Sequence, residues 1–305
     1  AFNRFNGLLP SIMRIGIDPK FQEFDYDYGN ISGLTRNGLW QDRRLTASVE
    51  RETWIEVAQD LQARITDEII ETAVQDWPES VVAYHGEETV AKLKARRDQL
   101  VDAAETYYEL LAQYVDIVGS HKHERFDVTR LDQDRTRLTV YKISKEGAVR
   151  DTLFTRTFFY DETLELRLFG LDGNDQFILN GAVPRGFIVR AIGGPGTDTF
   201  VDQSRIPDGA KRALFYDTNT ENPMTAGPNT RIRRSDDPTI NAYNQREYAH
   251  NATLPQVFFG RNDEDGLFIG GGVKFVTHGF RKQPFRREQR FVGNVAARTQ
   301  AFNVL

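Results

Sequence analysis

The sequence contains no cysteine, and this absence excludes two kinds of site. Without thiols there can be no disulfide framework and no thiolate-ligated metal centre, although the cellular compartment is left open. No apolar run reaches the roughly 18 residues that a membrane-spanning helix needs, so none is predicted. Alternating strands that cross a membrane would leave the hydropathy equally low, and the mean hydropathy of -0.53 is compatible with either situation.

A strong charge of one sign and the common catalytic motifs are also missing. The formal net charge is -5, with 27% charged and 39% hydrophobic residues, and this balance gives no reason to expect a nucleic-acid partner. The sequence has no Gly-Lys-Ser/Thr phosphate loop, no Gly-x-Ser-x-Gly nucleophile motif and no cysteine nucleophile. It therefore assigns no catalytic residue and no cofactor-binding residue, and we expect no chemistry from this segment itself.

Neither end of the sequence has the features of a natural terminus. No basic region followed by an apolar stretch opens the chain, so an exported protein would carry its secretory signal upstream. At the other end an alternating run stops at Leu305 without a turn or a polar tail. We interpret the chain as an internal fragment of a longer protein.

The first part of the chain carries helical periodicity. Residues 1–47 hold scattered aromatic residues without a sustained period and are predicted to be the irregular tail of an upstream domain. Residues 48–119 are predicted to form a helical module, because apolar residues recur at spacings of three and four. Its three helices are predicted from Ser48 to about Arg64, from Thr66 to Trp77, and from about Val90 to Val118.

The apolar period changes to two near residue 120, which predicts a β-rich domain, antiparallel or roll-like, over residues 120–216. Residues 217–253 are rich in Asn, Thr, Pro, Asp and Arg and are predicted to be a linker. The predicted strands of the β-rich domain are Phe126–Arg130, Leu138–Ile143, Thr152–Phe159, Leu164–Phe169, Phe187–Ile192 and Ala213–Tyr216.

Two longer alternating runs lie in residues 254–305. Each run is about ten residues long, the length that a tilted strand needs to cross the hydrocarbon of a membrane. The alternation alone fits a pair of membrane strands and an ordinary two-faced sheet of a soluble protein equally well. The residues that share the apolar face are Leu267, Ile269, Gly271, Val273 and Phe275 in the first run, and Phe291, Gly293, Val295, Ala297 and Ala301 in the second.

The residues around these runs resemble a known family. The strings Asp263–Gly272 (DEDGLFIGGG) and His278–Phe285 (HGFRKQPF) resemble the opening hairpin of the bacterial surface antigen barrels, the BamA/TamA-like family. The resemblance is strongest to Bacteroidetes-type members with a long periplasmic region, and it spans nearly the whole chain. Upstream strings that resemble the same group are Leu61–Glu68, His85–Glu88, Lys92–Asp98, Val118–Ser120 and Lys122–Glu124.

The resemblance implies an α+β fold, with an N-terminal helical module, a central β-rich roll or sandwich, and the first strands of a transmembrane antiparallel β-barrel at residues 254–305. It implies a bacterial outer-membrane location, with residues 1–253 in the periplasm. The expected partners are outer-membrane lipid and periplasmic or outer-membrane proteins, and the expected role is non-catalytic, in membrane assembly, transport or surface interaction.

An alternative is an accessory region of an exported enzyme. In relatives the preceding region can contain a calcineurin-like phosphoesterase or a kinase-like part, and Phe2–Pro10 resembles the segment that comes directly after the kinase-like part. Neither catalytic core is present in the sequence.

One motif suggests a metal. Gly193–Val201 fits the calcium β-roll nonapeptide G-G-x-G-x-D-x-U-x, and Gly170–Ile178 is a second copy without the second glycine. Asp175 and Asp198 are therefore candidate Ca²⁺ ligands. The copies begin 23 residues apart, whereas stacked calcium turns of nine residues need spacings of 9 or 18. The alternative is a pair of Gly-Asp turns that hold no metal.

Two other clusters have a functional and a structural interpretation. His121 and His123 could bind zinc as a pair, but no third ligand lies at a suitable spacing, and a solvated turn explains them as well. A basic cluster at residues 92–97 could contact phosphate or lipopolysaccharide. It could equally be the solvent-facing side of an amphipathic helix.

Overall fold

The computed structural model describes residues 22–219, 222–264 and 266–304. The chain divides into two compact units, one formed by residues 38–69 and 97–245 and the other by residues 1–37, 70–96 and 246–305. The stretch Phe2–Pro10 and the rest of residues 1–21 of the predicted tail lie outside the described residues. Among the residues described, no helix combines the length and the apolar character needed to cross a membrane.

The described residues form a mixed α and β structure whose helices lie mostly in the N-terminal part, as predicted. Six of seven described helices precede the first strand. The helices are α1 (Ile31–Leu34), α2 (Leu39–Leu45), α3 (Arg51–Arg64), α4 (Asp67–Gln75), α5 (Glu79–Asp98), α6 (Leu100–Ala112) and α7 (Pro238–Asn241).

Two of the predicted helices have the expected positions, and the third differs. The apolar stripe of α3 packs against α6, where the Trp54 indole donates a hydrogen bond of 2.7 Å to the Ala104 carbonyl. The long third helix is interrupted at Gln99 and ends at Ala112, so the prediction that it continues to Val118 is wrong. The next run, Tyr-Val-Asp-Ile-Val, is rich in β-branched residues, which pack better in a strand than in a helix.

Eleven strands of the first unit form two sheets. They are β1 (Tyr114–Val118), β2 (Glu124–Arg130), β3 (Arg135–Ile143), β4 (Val149–Phe159), β5 (Glu165–Phe169), β6 (Gln176–Asn180), β7 (Ile188–Ile192), β8 (Thr199–Asp202), β9 (Ala213–Asp217), β10 (Met224–Thr225) and β11 (Thr230–Arg234). The five-stranded sheet has the order β1-β5-β7-β9-β11, and the six-stranded sheet has the order β10-β8-β6-β2-β3-β4.

Apart from the hairpin β3–β4, which stays in the sheet of β2, successive strands alternate between these two sheets, so the chain winds as a parallel solenoid. Glu165 pairs with Ile188 in one sheet, and Gln176 pairs with Thr199 in the other. Between the second and third coils the offset in both sheets is 23 residues, as in the hydrogen bond from the Asp175 N–H to Asp198. Between the first and second coils the offset is 51 residues, because the antiparallel hairpin β3–β4 is inserted there. Parallel pairing therefore dominates this domain, so the antiparallel alternative holds only for β2–β3–β4, and the winding is closer to the roll-like alternative.

The core between the two sheets is built from stacked aromatic rings. Phe126, Phe177 and Phe200 occupy the same position in three successive coils, with ring centroids 4.9 Å apart in each step. Phe215 closes the stack from the opposite sheet at 5.2 Å from Phe200. All four rings are fully buried. The pairing register of the coils therefore also brings together the aromatic rings of the core.

We expect the Phe200→Ala variant to be destabilised by about 3–5 kcal/mol, because the substitution leaves a cavity in the middle of this stack. Urea unfolding followed by circular dichroism would measure the change in the free energy of unfolding. Tyr84→Ala is the matched control, since Tyr84 is 84% exposed and its loss should change stability by no more than about 0.5 kcal/mol. Equal effects of the two substitutions would contradict the assigned core.

The segment predicted as a linker, residues 217–253, belongs in part to the solenoid. It contains β10 and β11, which extend the two sheets, and the short helix α7, whose Asp237 cap accepts a hydrogen bond from the Thr239 N–H. These strands have two and five residues, too few to give a recognisable alternation.

Buried charges cover the outer face of the five-stranded sheet. Arg43 of α2 lies 2.9 Å from Asp116, while Glu165 lies 2.5 Å from Arg167 and 2.8 Å from Arg190. Burial opposes the ionisation of Glu165, yet the two guanidinium groups hold its pKa below its usual value. Part of residues 1–47, predicted to be irregular, is thus a helix that supplies a cation to this network.

The second unit ends in a four-stranded antiparallel sheet with the order β12-β13-β14-β15. Its strands are β12 (Ala252–Asn262), β13 (Gly266–Thr277), β14 (Arg287–Ala296) and β15 (Phe302–Val304). β13 coincides with the first predicted run. The second run is shorter than predicted, since a turn comes after Ala296 and the chain reverses into β15.

Candidate functional site

The two candidate calcium ligands lie together at one turn of the solenoid. Asp175 and Asp198 immediately precede β6 and β8, and the pairing of these strands places one carboxyl directly beside the other. Both residues are buried, with exposed fractions of 1% and 0%. Carboxyl groups are rarely buried so completely without a charged partner, so the burial of this pair needs a physical reason.

Hydrogen bonds join the carboxyl groups into a ladder that runs from coil to coil. The Glu124 N–H donates to Asp175 Oδ1 at 2.8 Å, and the Asp175 N–H donates to Asp198 Oδ1 at 2.8 Å. Each Oδ1 thus satisfies a backbone donor of the preceding coil, which would otherwise be buried without a partner. The Oδ2 atoms of Asp175 and Asp198 have no hydrogen-bond partner in the described structure.

Glycines leave the space that the ladder occupies. A β-carbon on Gly170 would overlap Asp175 Oδ2, and a β-carbon on Gly193 would overlap Asp198 Oδ2. These two glycines are required for close approach, because any other residue would displace the carboxyl of its own coil. The glycines of the nonapeptide pattern therefore have a packing role that needs no metal.

The ladder has two further members that the sequence analysis did not identify. Glu124 occupies the equivalent position in the first coil, where its carboxylate accepts hydrogen bonds from the Ser120 N–H and hydroxyl. Asn222 occupies it in the last coil and donates to Asp217 Oδ2 at 2.5 Å. A spacing of five residues would have identified them, since it recurs in Gly119–Glu124, Gly170–Asp175, Gly193–Asp198 and Asp217–Asn222.

Burial makes these carboxyl groups weak acids. It raises the pKa of Asp175 to about 8, with the Glu124 N–H opposing the shift and the charges of Asp198 and Glu124 adding to it. It raises the pKa of Asp198 to about 7, with the Asp175 N–H opposing and the charge of Asp217 adding to the shift. Burial also raises the pKa of Asp217. A proton on Oδ2 would neutralise each group, so the ladder is suited to hold protons.

The two Gly-Asp turns are neighbours, although their spacing is not the 9 or 18 residues of stacked calcium turns. A separation of 23 residues is one full coil of this solenoid, so the two Gly-Asp turns do stack. Leu171, which replaces the second glycine in the earlier copy, adopts a positive φ of 74°, and its counterpart Gly194 has a φ of 122°. Leucine is strained in this region, so the turn geometry is imposed by the neighbouring coil.

The arrangement can be compared with what calcium requires. Ca²⁺ takes six to eight oxygen ligands, mostly ionised carboxylates and carbonyls. Within the described ranges, no group of three or more His, Asp or Glu side chains converges as a metal site. Asp175 and Asp198 each use one oxygen for a backbone donor, so a bound cation would compete with the ladder. Calcium binding by these residues stays a prediction.

We expect the Asp198→Asn variant to gain stability relative to the wild type as the pH rises. Below about pH 4 the carboxyl is protonated in both the folded and the unfolded state, and its full contribution to stability is present. Between that pH and the folded pKa of about 7 only the unfolded state ionises. In this window the wild type should therefore lose on the order of 1 kcal/mol per pH unit more than the asparagine variant, since the raised pKa values of Asp175 and Asp217 act in both proteins.

Urea unfolding between pH 4 and pH 8 measures this difference, with Asp151→Asn on the exposed part of β4 as the control.

A parallel series with added Ca²⁺ distinguishes a protonated ladder from a calcium site at Asp175 and Asp198. If calcium occupies the ladder, the wild type gains stability with millimolar Ca²⁺ and Asp198→Asn does not. A wild type whose stability does not fall with pH would contradict the protonated ladder.

The other candidate clusters have internal partners. His121 Nδ1 lies 2.7 Å from Asp172 Oδ2, whereas His123 Nδ1 accepts a hydrogen bond from the Asn174 N–H at 2.8 Å. The two imidazoles are thus engaged separately. In the basic cluster at residues 92–97, Glu88 and Asp25 lie beside Lys92, and Glu71 lies beside Lys94. Arg96 lies over the Tyr28 ring. Arg97 forms ion pairs with Asp67 and Asp98.

A large apolar surface is the second candidate site. One face of the β12–β15 sheet consists of exposed apolar side chains in every strand, joined across the strands by rows such as Phe259, Ile269, Val295 and Phe302. The exposed members of this apolar face are Val257, Phe259, Leu267, Ile269, Phe275, Phe291, Val295, Phe302 and Val304. Contiguous apolar surface of this extent marks a binding or membrane-contacting site.

Comparisons with protein-family models, with curated proteins and with solved structures find no match to this chain.

Proposed function

We propose that this chain is a non-catalytic part of an outer-membrane β-barrel protein, with residues 1–253 in the periplasm and residues 254–305 forming the first strands of the barrel. Its role would be membrane assembly, transport or surface interaction. The observation that carries the proposal is the exposed apolar face of the β12–β15 sheet.

The lengths of the strands support this proposal. β12, β13 and β14 contain 11, 12 and 10 residues, and a tilted strand of about 9–11 residues spans the hydrocarbon of a bilayer. Consecutive strands are antiparallel neighbours in chain order, as in the wall of an up-and-down barrel. Polar residues of the apolar face, such as Arg261 and Arg287, stand near strand ends, where head groups would lie.

The opposite face is mixed in composition, since Phe258, Phe268 and Val276 lie on it together with charged and amide side chains. It carries an ion pair between Lys274 and Glu288, with Nζ and Oε2 3.5 Å apart. Asn294 and Asn303 are neighbours on this face, since β14 and β15 pair at these residues. A soluble two-faced sheet would bury its apolar side and expose its polar side. Here the charged side chains of the Lys274–Glu288 pair are less exposed than Phe259 or Ile269.

We expect Ile269→Arg to reduce the amount of folded parent protein in outer membranes, because an arginine at mid-bilayer on the lipid-facing side costs about 2–4 kcal/mol. Asn294→Arg is the matched control: it adds the same charge one row away on the polar face and should be tolerated. Fractionation, together with faster gel migration of the unheated sample, measures the folded membrane form.

Two outcomes would contradict the proposal. One is recovery of the wild-type parent protein in the soluble periplasmic fraction. The other is a stronger loss of the membrane form with Asn294→Arg than with Ile269→Arg, since this would place the polar face against lipid.

A further inference from the structure

The last strand of the solenoid, β11, is an open sheet edge. It is the outermost strand of the five-stranded sheet and pairs only with β9 among the described strands. Residues 231–234 are all exposed. Such an edge presents a row of backbone N–H and C=O groups that can pair with another extended chain.

The side chains of this edge carry positive charge that the structure does not balance. Arg231 and Arg233 lie on the outer face of the sheet, in register with Leu214 and Tyr216 of β9, which carry no negative charge. Neither arginine side chain has an ion pair or hydrogen bond in the described parts of the chain. Most other arginines of the same sheet face, such as Arg167 and Arg190, lie beside carboxylates.

The core is also incomplete at this edge. Ile232 points to the inside of the solenoid, in register with the fully buried Phe215, but remains 38% exposed because no further coil covers it. The strand itself is well held: the Thr230 hydroxyl donates to Asp202 Oδ2 at 2.6 Å. The strand thus has a fixed start at Thr230 and an uncovered apolar position between two cations.

We propose that β11 binds an extended acidic peptide segment by strand addition. The partner would carry carboxylates at alternating positions, opposite Arg231 and Arg233, and an apolar residue between them to cover Ile232. Alternation is required because side chains of a strand point to opposite faces in turn. The backbone hydrogen bonds would supply affinity, and the charge pattern would select the sequence.

Fluorescence anisotropy with a labelled peptide of alternating Glu and Val tests this proposal on the whole chain. We expect saturable binding, and we expect a peptide of alternating Lys and Val not to bind. A Glu-Val peptide with N-methyl groups on every residue should also fail, because it keeps the carboxylates and loses all of its backbone donors. Equal binding of the methylated peptide would show charge attraction alone and would overturn strand addition.

The Arg231→Glu/Arg233→Glu variant should weaken binding of the Glu-Val peptide by about tenfold or more, because like charges opposite each other destabilise a strand pair. Arg137→Glu/Arg150→Glu, an equal charge change at exposed positions of β3 and β4, is the control and should bind as the wild type does. Thermal melting checks that each variant folds. If the Glu variant does not fold, Arg231→Gln/Arg233→Gln replaces it and should weaken binding several-fold; unchanged binding would overturn the proposal.

Discussion

The in-register pairing of successive coils is the constraint on which the solenoid depends. Parallel strands pair coil on coil in both sheets, and between the second and third coils the offset is 23 residues in each sheet, so the side chains of these coils stand beside their counterparts. The aromatic stack of Phe126, Phe177 and Phe200 and the carboxyl ladder are two results of that single register. A substitution that shifts the register would disturb the apolar core and the polar turn together.

The aromatic stack and the carboxyl ladder differ in the free-energy cost of burying them. Stacked phenyl rings gain from leaving water, whereas a buried carboxyl group loses its hydration and has to be compensated. In Asp175 and Asp198 one oxygen is compensated by a backbone N–H of the neighbouring coil, and neutralisation of the other by a proton removes the cost of a buried charge. In the last coil an amide occupies the ladder position instead of a carboxyl group, and Asn222 donates a hydrogen bond to Asp217.

The sequence predicted those elements whose pattern is local and long enough to read. The alternation in Leu138–Ile143 and Phe187–Ile192 corresponds to β3 and β7. β6 and β8 were missed because their four or five residues are embedded in the Gly-Asp motifs, which suggested turns. Asp175 and Asp198 were selected by that motif, but their adjacency depends on a repeat of 23 residues. The insertion of β3–β4 interrupts this repeat after one coil, so no local pattern shows it.

The alternation of apolar and polar residues has opposite meanings in the two units. In the solenoid the apolar side of each strand is buried between two sheets, and the polar side is covered by helices or exposed. In the β12–β15 sheet the apolar side is the more exposed one, and the side with Lys274 and Glu288 is the more enclosed. Alternation in the sequence specifies two faces without specifying which one meets water. Among the described residues no layer covers the apolar face, and in the proposed membrane location lipid hydrocarbon would cover it.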